Sequence, residues 1–395
     1  MSEAAAHKLS YVTETTRGTT PTNPRFQALP DTRTTIALTK ETLTSERLTG
    51  TRFPSEPRTG VNGVSGDIPA DLSSKVYDDF ISSALQGPWV ESGSADTADF
   101  EVDASADTGK VQGNTFATSN GTVTIEFLDA KAQKVVLRYD PTVTAAATSH
   151  EIFGLGSATI DSVVFEVTAY TDAVEDGLCK AGDTRKSFSI LREFSDFEVG
   201  QKPFLLFSGC EVSSWNLAAA ANNLAKSTFS FFGRAMSGPN VAGPTNFSVA
   251  PPIDTSPFDT FKGQMDIDGV ESSIVTDYNI TINNGHAPRY VLGKDDSQDP
   301  STTQSLIEGS MTVYFEDSTL YEKFVNEESI SLKLTLQDLN GNQLIIEMPK
   351  CSIIGRTQPD VSGDGPLTLP INFTAHEDDT LGSHISVRRY FPLAV

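Results

Sequence analysis

The side chains that most often perform chemistry are scattered along this sequence. The 5 histidines lie far apart, and none stands at a spacing typical of zinc ligands. His376–Asp379 reads His-Glu-Asp-Asp and could be drawn as a metal cluster, but next to a strand end such a run is more typical of a solvated turn. Asp295, Asp296 and Asp299 lack the glycine and the glutamate of a calcium-binding loop. The sequence therefore predicts no metal site and no cofactor.

Other short motifs do not assign a reaction either. Gly154–Gly156 holds a lone pair of glycines, which falls short of a phosphate-binding loop. Ser208–Cys210 does not have the pattern of a nucleophile elbow. Paired acids such as Asp78–Asp79 flank a predicted helix, where the helix dipole favours negative charge. We therefore expect no catalytic residue, although an enzyme stays an alternative because glycosidase carboxylates leave no local signature.

The stretch from Gly309 to Met348 predicts the elements that must position any functional surface. Polar and apolar residues alternate over Ser310–Phe315, which is the period of a half-buried strand. Apolar residues then recur at helical spacing over Leu320–Val325. A second alternating segment starts at Ile330 and leads to Asn340-Gly341, a strong signal for a type I′ hairpin turn. The stretch therefore predicts a strand, a short helix, a strand, a tight turn and a strand.

An imperfect second copy of this plan occurs earlier in the chain. Five blocks recur in the same order, and we interpret them as one structural unit that is present twice. The paired blocks are Gly66–Ile68 with Gly309–Met311, Lys75–Ile81 with Thr319–Val325, Ser187–Ile190 with Ser331–Leu334, Ser208–Val212 with Pro349–Ile353, and Thr228–Phe231 with Pro370–Phe373. The alternative is two unrelated β-rich segments of similar composition.

Composition places the protein among globular chains that work without a membrane. Of its 395 residues 38% are hydrophobic, and no apolar run reaches the length of a membrane-spanning helix. The polar first residues do not resemble a signal peptide. An odd number of cysteines, 3, argues against a disulfide framework and favours a reducing compartment. We expect Cys210 and Cys351 to fill equivalent core positions as small buried hydrophobes.

The charge balance is strongly acidic and uneven. The formal net charge is −23, from 29 basic and 52 acidic residues. Such a surface repels DNA and anionic membranes. Residues 1–60, however, carry 8 basic and 6 acidic side chains, so this leading segment is slightly basic. This asymmetry favours head-to-tail contact between copies, and the alternative is that the charge only keeps the protein soluble.

Several structural strings resemble the major tail tube proteins of long, non-contractile-tailed phages. The strings are Tyr11–Pro21, Gly63–Ile68, Phe207–Val212 and Thr312–Asp317. The resemblance covers nearly all of the chain except residues 88–186. It implies a mainly β fold with two tandem rolled β-sandwich or barrel tube domains, each with one short helix, plus a small β insertion domain. It also implies a structural virion protein without enzymatic activity.

Together with composition, the resemblance divides the chain into six segments. They are an N-terminal arm (1–30), a discontinuous first tube domain (31–87 and 187–240), a β insertion or decoration domain (88–186), a linker (241–255), and a second tube domain with a C-terminal tail (256–395). The arm and the linker are rich in Thr, Pro, Gly and Asn and show no sustained hydrophobic period. We therefore expect the arm to be disordered or to be ordered against another subunit.

The family resemblance also implies an assembly. Such proteins form rings whose inner strands make a continuous β-barrel, and the rings stack into a tube that conducts the genome into the host bacterium. Rings of this kind commonly hold six units, so two units in one chain predict three chains per ring, a pseudo-hexamer, with six chains per ring as the rival. Other tail proteins such as the tape measure, terminator and distal tail proteins are the implied partners. The implied location is the virion tail, assembled in the host bacterial cytoplasm.

Candidate functional residues follow from this assembly. The acidic candidates for a lumen that viral DNA crosses without specific binding are Asp266, Asp268, Glu271 and Asp277. The candidates for contacts between rings are Arg47, Arg52, Arg58, Lys294, Asp295 and Asp296. The candidates for an inter-subunit arm are Tyr11 and Arg17. Two alternatives from other classes are a surface-exposed receptor-binding or carbohydrate-active β protein and a secretion-system tube protein of similar fold.

Overall fold

A computed structural model gives the protein a mainly β fold with two helices in the described part of the chain, as the sequence predicts. The described residues are 7–30, 33–44, 56–90, 101–104, 107–109, 115–129, 134–142, 148–153, 157–169, 173–198, 201–240, 242–253, 255–294, 296–355, 358–359 and 366–392. By its internal contacts the chain splits into two compact bodies. The main body is Met1–Pro88, Cys179–Leu336 and Ile346–Ser386, and the smaller body is Trp89–Leu178, Gln337–Ile345 and Val387–Val395.

The elements follow one another along the chain with short connections. The first are β1 (His7–Glu14), β2 (Arg25–Ala28), β3 (Ala37–Leu43), β4 (Arg58–Asp71), α1 (Asp78–Leu85) and β5 (Trp89–Val90). The next are β6 (Glu101–Ala104), β7 (Asp107–Gly109), β8 (Thr115–Ala117), β9 (Gly121–Asp129), β10 (Lys134–Pro141), β11 (Thr148–Phe153), β12 (Ser157–Ile160), β13 (Val163–Ala169) and β14 (Ala173–Lys180). They are followed by β15 (Ser187–Phe194), β16 (Phe204–Ala220), β17 (Lys226–Gly233), β18 (Ala235–Asn240) and β19 (Ser248–Ala250).

The remaining elements belong to the C-terminal part of the chain. They are β20 (Asp259–Ile267), β21 (Val270–Glu271), β22 (Val275–Asn283), β23 (Ala287–Arg289), β24 (Gln298–Ser301), β25 (Leu306–Tyr314), α2 (Thr319–Val325), β26 (Ser329–Gln337), β27 (Gln343–Ile354), β28 (Thr368–Ala375) and β29 (Ser386–Pro392).

The elements predicted between Gly309 and Met348 are all present, with one difference at the turn. Gly341 has a φ of 84°, but Asn340 does not share the positive φ that a type I′ turn requires. The Asp338 carboxylate instead accepts hydrogen bonds from the backbone N–H groups of Asn340 (2.8 Å) and Asn342 (2.9 Å). A side-chain acceptor therefore shapes this turn, which is a common use of aspartate.

Two series of strands in the main body share one pairing order. In the first series β3 pairs with β4, β4 with β17 and β17 with β16; in the second, β22 pairs with β25, β25 with β28 and β28 with β27. The register is shared as well, because Gly66 stands opposite Phe231 and Gly309 opposite Phe373. A Cβ at Gly66 would collide with the backbone of Ile36, and one at Gly309 with the ring of Phe373. Close packing therefore explains a glycine at both positions.

The core of the first series is aromatic and centres on α1. Phe80 is fully buried and packs against Tyr11, Phe188, Phe229 and other rings at centroid distances of 4.7–5.5 Å. Two acids open the helix, and Gln86 ends it with a left-handed φ of 50°. Pairs of this kind add specific geometry to a large buried apolar area. The core therefore holds α1 firmly against its sheet.

The segment predicted as an N-terminal arm contains two strands of the main body. β1 runs antiparallel to β15 over its full length, with Leu9 and Tyr11 buried. The Tyr11 hydroxyl donates a hydrogen bond to Asp79, 3.0 Å away. Burial and the Asp79 carboxylate raise the pKa of Tyr11. The sequence gave no sustained period here because polar residues of this strand, such as Ser10 and Glu14, are also buried.

The smaller body contains a two-sheet arrangement. One sheet has the strand order β11-β10-β9-β8 and the other β12-β13-β6-β7. The buried rings of Phe116 on β8 and Phe165 on β13 meet edge to face, 5.4 Å apart. Because these rings come from different sheets, the two sheets pack face to face around a small apolar core.

Candidate functional site

The two series of strands are joined into one continuous antiparallel sheet. β16, the last strand of the first series, pairs with β22, the first strand of the second, from Ser214 opposite Asn283 to Ala220 opposite Asp277. The resulting order is β3-β4-β17-β16-β22-β25-β28-β27. Eight strands in one sheet is a large surface, and its two ends are the places where further strands can add.

Two asparagines stitch this joint together. The Asn216 amide donates to the side chains of Asn279 (3.0 Å) and Thr281 (2.9 Å) on β22. Asn284, which is 2% exposed, donates to the carbonyl oxygens of Ala84 (2.8 Å) and Val212 (3.3 Å). Asn284 therefore connects the end of β22 with α1 and with β16. Because buried amides lose free energy when their partners are removed, both side chains hold the joint in register.

The sheet has one apolar face and one polar face. On β16 and β22 the apolar face is buried and includes Trp215, Leu217, Ile280 and Ile282. The alternate positions on the same strands point to the other face, because side chains of a strand alternate. The residues of this polar face include Ser65, Asp67, Asp71, Ser214, Asn216, Lys226, Thr228, Asp277, Asn279, Thr281, Glu308, Ser310, Thr312, Asn372 and Thr374. Most of them are small, neutral hydrogen-bonding side chains.

The polar face is concave at the joint. A cavity of about 310 Å³ opens on it and is lined by residues of β16, β17, β22 and β25, among them Ala218, Lys226, Asp277, Asn279 and Ser310. Curvature of this hand is what a sheet needs to line the inside of a rolled structure. The face could therefore surround a polar, extended object and offer it few charges.

Both ends of the sheet are open among the described residues. The described pairings give β3 a partner on one side, β4, and most residues of β3 are exposed. At the other end, the last residues of β27 pair with β28, and Ile354 is 38% exposed. An unpaired strand edge is a template for pairing with another chain unless something blocks it.

A loop between β22 and β25 lies on the first series and brings charged groups together. Its hairpin, β23 and β24, carries Asp296, whose carboxylate contacts Arg234 Nε at 2.5 Å. Deeper in the body, the buried Glu211 carboxylate contacts Arg17 at 2.5 Å and Arg185 at 2.8 Å, and His286 lies 3.4 Å away. The loop is therefore fixed to the first series by ionic contacts.

The buried position of Glu211 is compensated by its neighbours. Burial alone raises the pKa of this carboxyl group, but His286, Arg185 and Arg17 stabilise the carboxylate more strongly, so its pKa lies below the ordinary value. Glu14 plays a comparable part nearby, accepting hydrogen bonds from Ser189 (2.6 Å) and from the backbone N–H of Gly209 (2.9 Å). Buried carboxylates persist in proteins only when they are paired in this way.

Comparison with known proteins assigns this architecture to a family. A family model described as phage tail tube protein matches residues 4–375. The chain belongs to the phage tail tube protein family. No curated protein matches the chain. The resemblance read from the sequence is thereby confirmed at the level of the tail tube family, and the protein is a structural component of the phage tail.

The tail tube protein places the four acidic lumen candidates in different surroundings. Asp277 lies exposed on the polar face of the sheet. Asp266 is 7% exposed and contacts Lys333 at 3.3 Å. Asp268 forms an ion pair with Lys323 and accepts a hydrogen bond from the backbone N–H of Ser331. Glu271 is exposed on β21 and borders a separate cavity of about 240 Å³.

The candidates for contacts between rings and subunits also separate. Arg47, Arg52 and Asp295 lie outside the described residues. Arg58 and Lys294 are exposed, whereas the Asp296 side chain is only 20% exposed because it faces Arg234. Tyr11 and Arg17 are both directed into the main body, toward Asp79 and Glu211. The structure therefore leaves Arg58 and Lys294 as accessible members of the two sets.

The residues that organise the site were not singled out by the sequence. Asn216, Asn284 and Glu211 have no local motif, and their importance depends on partners 63–200 residues away along the chain for the two asparagines. The one available signal was the departure between matched blocks, since Glu211 stands where the second copy has Ser352. Cys210 and Cys351 are both buried, as predicted, and burial raises the pKa of Cys351 to about 12.

The helices of the tail tube protein are short. Within the described ranges, neither α1 nor α2 has the length and apolar character that a membrane-spanning helix requires.

Proposed function

We propose that this protein polymerises into rings that stack into the tail tube, a conduit for genome delivery into the host bacterium. The observation that carries the proposal is the continuous eight-stranded sheet with an open edge at each end and a concave polar face. A sheet with two open edges completes its hydrogen bonding when copies join edge to edge. A closed ring of copies leaves no edge unpaired.

Two tandem tube domains in one chain set the size of the ring. The shared pairing order and register of the two strand series support the interpretation that one unit occurs twice. Rings of the resembled proteins commonly hold six units, so this chain forms a ring of three copies with pseudo-sixfold symmetry. The rival is a ring of six chains.

The polar face of the sheet lines the bore of the tube. Its serine, threonine and asparagine side chains hydrate well, and Asp277 adds negative charge that repels phosphate. Tight phosphate contacts from basic side chains would hold the DNA in place and would make its passage sensitive to salt. A lining of this kind allows viral DNA to slide without specific binding.

Assembly requires partners besides further copies of the chain. The proposed partners are the tape measure, terminator and distal tail proteins, and assembly takes place in the bacterial cytoplasm before the tube enters the virion. The buried free cysteines fit a reducing compartment.

Symmetry-resolved electron microscopy of the purified full-length protein tests this function. We expect tubes or stacked rings of uniform bore, with three chains in each ring and Asp277 facing the bore. Six full chains in one ring would refute the trimer but keep the tube. Strictly monomeric protein at high concentration, both alone and on added tail tips, would overturn the proposed function.

A further inference from the structure

We propose that the contact between neighbouring chains in a ring repeats the joint that the chain already makes within itself. In this contact the open edge of β3 in one chain pairs antiparallel with the end of β27 in a second copy, as β22 pairs with β16. The inference rests on the proposed ring and names its interface, its register and the residues that make it specific.

The two helices show that one of two equivalent surfaces is covered and the other is bare. α1 packs against β16 and against β22 of the next series, and its residues from Phe80 to Leu85 are buried. α2 holds the corresponding place in the second series, yet none of its residues is buried. Val325 is 61% exposed and Tyr321 is 36% exposed. The missing cover is the next strand series, which only a second copy of this chain can supply.

The register follows from matched partners. Ser214 stands opposite Ser230 in the first series, and Ile354 stands opposite Asn372 in the second, at the matched position of the last strand. Ile354 therefore takes the place of Ser214. By the same reasoning from β3–β4 and β22–β25, Thr39 takes the place of Asn283.

Because Ser214 and Asn283 face each other within the chain, Ile354 of one copy and Thr39 of its neighbour face each other in the ring. Both residues are exposed in the single chain, so nothing in the described structure blocks this pairing. The pairing would also cover the 38% exposed apolar side chain of Ile354.

A charge pair distinguishes the contact between chains from the joint within the chain. Within the chain, Asn284 donates to the carbonyl oxygen of Ala84 at the end of α1. One residue beyond Thr39 in β3, Lys40 takes the place of Asn284, and Glu328 after α2 takes the place of Ala84. A lysine thus meets a glutamate where the covalent joint has a neutral pair. Complementary charges of this kind steer association and fix the register of an interface.

Paired cysteine substitutions test the register directly. We expect Thr39→Cys combined with Ile354→Cys to form disulfides between chains under mild oxidation in assembled rings. Directly opposed residues of antiparallel strands have Cα atoms about 4.5–5.5 Å apart, which suits a disulfide. The matched control, Ser214→Cys with Asn283→Cys, should form a disulfide within one chain. Closed rings should give a ladder on denaturing gels that ends at three chains.

The outcomes separate the interface from the function. If wild-type rings form but the Thr39 and Ile354 pair stays uncrosslinked while the control pair crosslinks, this interface is wrong and the tube function stands. If no rings form at all, the proposed function itself fails. A ladder that runs past three chains would support the interface and refute the trimer.

A charge exchange tests the specific pair. We expect Lys40→Glu or Glu328→Lys alone to reduce ring formation at least tenfold at low salt. The combination of both changes should restore it, because the attraction returns with its sign reversed. Neither residue is buried, so the thermal unfolding of the monomer reports any unrelated damage. Unaltered assembly of both single variants would remove the charge pair from the interface.

Discussion

Asn216 donates a hydrogen bond from its side-chain amide to the side-chain oxygen of Asn279, 3.0 Å away, across the joint between β16 and β22. The two strands belong to different strand series, and the hydrogen bond lies on the polar face of the sheet. The joint is therefore stabilised from its solvated side as well as by the apolar core behind it.

We expect Asn216→Ala to lower the free energy of unfolding by about 1 kcal/mol, because it removes side-chain hydrogen bonds across the joint. Urea unfolding followed by tryptophan fluorescence measures the loss, since Trp215 is adjacent and fully buried. Asn372→Ala is the control: it truncates the same residue type on the same face away from the joint. Equal losses in the two variants would contradict a special role for Asn216.

We expect Glu211→Gln to lower the free energy of unfolding by about 3 kcal/mol at neutral pH, because it leaves buried cationic partners without their carboxylate. The folded-state pKa of Glu211 is depressed, so its contribution is present above the unfolded value of about 4.3 and disappears as the pH falls through the folded pKa. The difference between wild type and variant should therefore shrink in acid.

Chemical unfolding at a series of pH values between neutral and strongly acidic measures this difference. Glu308→Gln on the exposed face of β25 is the control and should change the stability by less than about 0.5 kcal/mol. A constant difference between wild type and Glu211→Gln across the whole range would show that the charge of Glu211 does not carry the effect.

We expect the matched helix variants Phe80→Ala and Phe324→Ala to behave differently. Phe80 is fully buried among aromatic rings, so its truncation should cost about 3–5 kcal/mol in the monomer. Phe324 lies on α2, which has no buried residue, so its truncation should cost the monomer much less. Thermal unfolding of the two monomers checks the contrast, and similar losses would mean that α2 is packed as firmly as α1.

We expect the three cysteines to resist alkylation in the native protein. Cys179, Cys210 and Cys351 are buried, and burial raises the pKa of Cys351 to about 12, so little thiolate forms near neutral pH. Mass spectrometry after brief treatment with iodoacetamide should show no label in native buffer and three labels in denaturant. Labelling of Cys351 in native buffer would contradict its burial in β27.

The sequence by itself determined the local elements of this protein. Alternation predicted the strands around α2, helical spacing predicted α2 itself, and the repeated blocks predicted which strands correspond, because period and block order are properties of neighbouring residues. The matched glycines Gly66 and Gly309 occupy the same register position for the same steric reason.

Only the tertiary structure decided which strands meet. Nothing local in β16 or β22 specifies that they pair, because partner choice depends on backbone hydrogen bonds and side-chain packing between segments distant in sequence. The same is true of the polar residues that were missed: Asn284 and Glu211 became important when folding buried them beside partners from remote strands. The coverage of α1 and the exposure of α2 likewise depend on what lies next to each helix in space, and sequence periodicity carries no information about that.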